Sequence, residues 1–129
     1  MTKRIEIAEN LIDTIECIVR SPLLEQYNIG ITMRPVERKD QYRTWGPRNN
    51  APTWPHFVIL NTRQLKAKAA LSLEEKLYGM IQMNKKSILF KKYRGDTKHG
   101  PYTPSLGGLK GDNNHRYYLY IAWANIGDN

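Results

Sequence analysis

The chain has 129 residues, with 40% hydrophobic and 25% charged side chains, a size and balance that exclude a disordered polymer and suit one hydrophobic core. The formal net charge is +8, which favours polyanionic partners by raising their local concentration at the surface. A single cysteine, Cys17, excludes an internal disulfide, and no apolar run approaches the length that spans a bilayer.

Residues 4–20 carry a helical stripe of Ile5, Ala8, Leu11, Ile12, Ile15, Ile18 and Val19, with Glu6, Glu9, Asp13, Glu16 and Arg20 opposite. Cys17 flanks the stripe and is expected as a small buried hydrophobe, and Pro22 ends the helix because it lacks the donor and the φ freedom to continue. This acidic amphipathic start is unlike a signal peptide, so the expected compartment is the cytoplasm, with no membrane partner. Residues 27–36 alternate, with Ile29, Ile31 and Met33 on one side, and predict a strand that Pro35 confines to an edge or an end.

From 37 to 55 the chain turns polar and punctuated, and Gly46, Pro47, Pro52 and Pro55 predict a long surface loop carrying Trp45 and Trp54. At least one of these rings is expected to pin the loop to the core. The apolar run His56–Thr62 predicts the middle strand of the sheet. Ser72 and Glu75 have capping-box spacing, predicting a helix over about 73–83 with Leu73, Leu77, Met80 and Ile81 inward; 64–70 reads equally as helical turn or strand.

Residues 85–94 read as a basic strand, 95–115 as a hairpin loop with five glycines and two prolines, and 116–123 as a strand. In that last strand Tyr117, Leu119, Ile121 and Trp123 alternate with Arg116, Tyr118, Tyr120 and Ala122. The order predicts an α+β fold over a single domain, 1–129: one layer of mostly antiparallel sheet, about four strands, with two helices on one face.

The charge is unevenly placed. Residues 1–25 hold three cations against five anions, while 26–129 hold seventeen against seven. On the two expected strands and their loop, cations alternate with tyrosines, the composition that holds single-stranded DNA or RNA through phosphates and stacked bases. The expected contacts are Lys91, Lys92, Arg94, Lys98, Lys110, Arg116, Tyr118 and Tyr120.

Two other readings compete with that one. A small basic domain rich in Trp, Tyr and Arg also suits a protein-binding regulator or inhibitor. A metal-independent ribonuclease would need a general base, a general acid and a cation, roles for which His99, His115, Lys98 and Arg116 are the candidates, with Tyr102 nearby. Gly107-Gly108-Leu109-Lys110-Gly111 lacks P-loop spacing, and no HxxxH, CxxC or DxD pattern is present, so neither metal nor cofactor is expected.

Overall fold

The tyrosine-rich segment forms β4 (Arg116–Asn125), and the sheet is built around it. β1 (Leu24–Thr32) pairs with it antiparallel on one side, Tyr27 opposite Trp123 and Ile31 opposite Leu119. β2 (His56–Ile59) pairs with its C-terminal half and the two-residue β3 (Leu65–Lys66) with its first residues, both antiparallel. The spatial order is β1-β4-β2, with β3 also on β4. The computed structural model describes residues 3–48, 54–61, 63–93 and 116–128. An open antiparallel sheet with helices gives the α+β class that the periodicities indicate. Residues 56–62 do not form its centre, however. β2 is an edge strand with Val58 41% exposed, and the longer β4 is central.

The alternation of β4 holds. Tyr117, Leu119 and Ile121 are buried in one cluster with Ile29 and Ile31 of β1. Against them pack α1 (Lys3–Val19), through Ala8, Ile15 and Val19, and α3 (Ala67–Gln82), through Ala67, Ala70, Leu73, Leu77 and Ile81. Each fully buried Ile or Leu contributes roughly 1.5–3 kcal/mol, so this face carries most of the apolar stabilisation. α3 begins earlier than the Ser72 capping box suggests, because Ala67 to Leu71 are strong helix formers and two of those alanines are buried. Cys17, by contrast, is exposed.

Two segments differ in kind from expectation. Residues 35–48 form a helix, α2 (Pro35–Arg48), where a loop is predicted. Pro35 is its first residue, a position where a missing N–H costs nothing, and Glu37 in the first turn complements the dipole. The predicted basic strand 85–94 instead contains a five-residue helix, α4 (Ile88–Lys92), capped by the Ser87 hydroxyl, which accepts from the Phe90 N–H at 3.3 Å. Lys91 and Lys92 fall in its last turn, where cations suit the helix end.

α2 covers the other sheet face. There Tyr120, Ala122, Ala124 and Trp54 form a second buried cluster, with Tyr42 of α2, Phe57 and Ile59 packed against it. Trp54 thus pins its segment as expected. The described part of α2 is otherwise polar, with Val36 73% exposed, and Tyr42 is its principal anchor.

Two side chains complete backbone hydrogen bonding. Between β2 and β3 the Asn61 Oδ1 accepts the Leu119 N–H at 2.7 Å, standing in for a ladder carbonyl. The Lys92 Nζ donates to the Val19 and Ser21 carbonyls at 2.9 and 3.0 Å, capping the C-terminal end of α1.

Candidate nucleic-acid interface

Where β3 meets the start of β4, Lys66 lies directly opposite Arg116 and Leu65 opposite Tyr117. Leu65 and Tyr117 face the core, so the two cations project from the other sheet face, and both are exposed. Lys66 is also the N-cap residue of α3, extended in backbone, with no side-chain cap and no acid in the first turn. Arg63 and Lys68 flank it, both exposed.

The next residue of β4 on that face is Tyr118. Its hydroxyl accepts a hydrogen bond from Gln64 Nε2 at 2.8 Å, and the contact is exposed. Across the sheet Tyr118 pairs with Thr32, whose Oγ1 accepts the Arg34 N–H at 3.1 Å. Arg34 is 71% exposed and makes a 3.5 Å contact with Glu37. Arg34, Arg116 and Lys66 therefore span the end of the sheet from β1 across β4 to β3.

One step further along β4 the character changes. Tyr120 is 2% exposed and lies under α2. Its hydroxyl is 3.0 Å from that of Tyr42, which accepts from Asn28 Nδ2 at 2.9 Å. The rings of Tyr42 and Tyr120 meet edge to face at 5.7 Å, and Phe57 stacks on Tyr120 at 4.8 Å. Burial raises both hydroxyls above their ordinary ionisation range, that of Tyr120 well above it. Arg38 and Glu74 act on both rings, the guanidinium favouring phenolate and the carboxylate opposing it. Arg38 stands one turn before Tyr42 on α2, half-buried, and Glu74 is buried on α3 and partnered.

The contacts expected from sequence thus divide. Arg116 and Tyr118 share one exposed face, joined by Gln64 and Lys66 from the segment that sequence left undecided. Tyr120 is removed as a stacking platform because α2 covers it. Lys92 is engaged in capping α1, and Lys91, though exposed, lies beside it. α4 sits at the other end of the sheet, where the Leu89 carbonyl accepts from the Tyr27 hydroxyl at 2.6 Å and Tyr27 pairs with Trp123. Trp123 and Arg116 are roughly 24 Å apart at an antiparallel rise of about 3.4 Å per residue. Arg94, Lys98, His99, Tyr102, Lys110 and His115 lie outside the described residues.

The described histidine, His56, stacks on Trp123 at 5.2 Å. Its Nε2 is 3.1 Å from Asp128 Oδ2, which also accepts the Asn125 N–H at 2.6 Å, closing the turn after β4. Among the described residues no group of three or more His, Cys, Asp or Glu side chains converges as a metal site, and no helix is long and apolar enough to cross a membrane.

Comparison with protein-family models, curated proteins and solved structures returns no match. The functional reading therefore rests on the chemistry of these side chains.

Proposed function

We propose that this chain is a cytoplasmic protein that binds nucleic acid, single-stranded DNA or RNA by preference, through the cationic end of its sheet. The supporting observation is the register of Lys66 against Arg116. Two exposed cations held side by side on paired strands can each meet a phosphate oxygen of one strand, and the phosphates they neutralise release counterions. The net charge of +8 supplies the long-range attraction.

Titration of a labelled single-stranded oligonucleotide by anisotropy tests this. Lys66→Ala and Arg116→Ala are expected to weaken binding, and Lys91→Ala at the opposite end to leave it nearly unchanged. Equal loss in all three variants would move the interface away from β3 and β4. Recovery of the chain in a stoichiometric protein complex that survives nuclease, with no oligonucleotide binding, would instead support the protein-binding regulator.

A further inference from the structure

We infer that Tyr118, with its hydroxyl held by Gln64, stacks on a nucleic-acid base and makes the ligand a single strand instead of any polyanion. The inference rests on the nucleic-acid reading of the same sheet end. Two cations alone cannot distinguish a nucleic acid from heparin or polyphosphate, because all three present dense negative charge. An aromatic ring can, since every unpaired base offers a face to stack on and a duplex keeps its bases stacked inside.

Position and orientation single out Tyr118 among the tyrosines of β4. Tyr117 is 5% exposed and Tyr120 is 2% exposed, both committed to the two core clusters, whereas Tyr118 is half-exposed. It is two residues from Arg116 on the same face, so phosphates at Lys66 and Arg116 place an adjoining nucleoside within reach of the ring. The Gln64 amide, 2.8 Å from the phenol oxygen, removes ring freedom that stacking would otherwise have to freeze. Gln64 is therefore a positioning residue, acting on the base through Tyr118. Tyr118 lies on β4 and Gln64 immediately precedes β3, so phosphate and base contacts are held beside one strand pair.

Three probes separate the terms: a single-stranded oligonucleotide, the same sequence as a duplex, and inorganic polyphosphate. Tyr118→Ala is expected to lower affinity for the single strand by about 5- to 150-fold and to leave polyphosphate affinity unchanged. Tyr118→Phe and Gln64→Leu each remove the same hydrogen bond. Each is expected to cost a similar, smaller factor, and the double variant no more than either alone. An upfield ring-current shift of the Tyr118 protons, present with the single strand and absent with polyphosphate, reports the stack directly. Should Tyr118→Ala fail to fold, Tyr118→Phe and the proton shift carry the test.

Equal losses for single strand and polyphosphate, unchanged single-strand affinity in Tyr118→Ala, or wild-type affinity as high for duplex as for single strand would overturn the inference. Lys66→Glu would still weaken all three probes in that case, and the nucleic-acid reading would survive. Absence of binding to every probe at low salt would remove both.

Discussion

Lys66 and Arg116 face one another across an antiparallel strand pair, two cations held side by side at the end of the sheet. Reversing one of them separates stability from binding. In Lys66→Glu a cation opposite Arg116 becomes an anion, and the fold is expected to keep its stability to within roughly 1 kcal/mol after solvent screening. Thermal melting should show little change while anisotropy shows weaker oligonucleotide binding. A large loss of stability with unchanged affinity would make Lys66 a structural residue.

Gly30 is required by Tyr120. A Cβ placed at Gly30 would lie 2.4 Å from the Tyr120 hydroxyl and 2.6 Å from the ring carbon that bears it. Gly30→Ala must displace that ring and with it the hydroxyl contact to Tyr42, so a loss of about 1–3 kcal/mol is expected. The cost should shrink in a Tyr120→Ala background, read as a double-mutant cycle in denaturant.

Part of this was legible in the sequence and part was not. The alternation of β4 and the stripe of α1 place their inward side chains correctly, because each buries a long face against one partner. α2 is hidden because Tyr42 is the main inward ring among its described side chains, leaving a polar stretch with little 3.6-residue periodicity amid Gly and Pro. The Ile88/Phe90 spacing mimics a strand because five residues are too short to separate a period of 2 from one of 3.6. Tyr118 and Tyr120 are rightly placed on one face, but burial of Tyr120 depends on a helix the sequence did not disclose. Lys66 becomes a site residue only through pairing with Arg116, a contact between segments far apart in the chain.

Lys92 should prove structural. Its ammonium satisfies two carbonyls at the end of α1, and Lys92→Met is expected to lose roughly 1.5–3 kcal/mol, since those hydrogen bonds involve a charged donor. Oligonucleotide affinity at a temperature where the variant is folded should stay close to wild type. Selective loss of binding with full stability would return Lys92 to the interface.

Asn61 offers a similar test at the sheet. Asn61→Ala leaves the Leu119 N–H without its side-chain acceptor, and a loss of about 1–3 kcal/mol is expected from urea denaturation. Asn61→Asp keeps an acceptor oxygen and should lose less.

Stability is expected to fall in alkali. Burial raises the ionisation ranges of Tyr27, Tyr42, Tyr93 and Tyr120 in the folded protein, while in the unfolded chain tyrosines titrate at about 10. Above that pH the unfolded state binds fewer protons than the native state, so unfolding becomes more favourable as pH rises. Below it these groups contribute no slope. Tyr120→Phe should flatten the alkaline limb of a melting-temperature profile.

The central claim is that phosphates are held at Lys66 and Arg116, and the slope of log affinity against log salt for a single-stranded oligonucleotide measures it most directly. Each phosphate neutralised contributes a slope of about −0.7 for a single strand, so the wild type should show at least about −1.4, and Lys66→Ala and Arg116→Ala should each be shallower by about 0.7. Binding insensitive to salt, or a slope unchanged by both substitutions, would contradict the account.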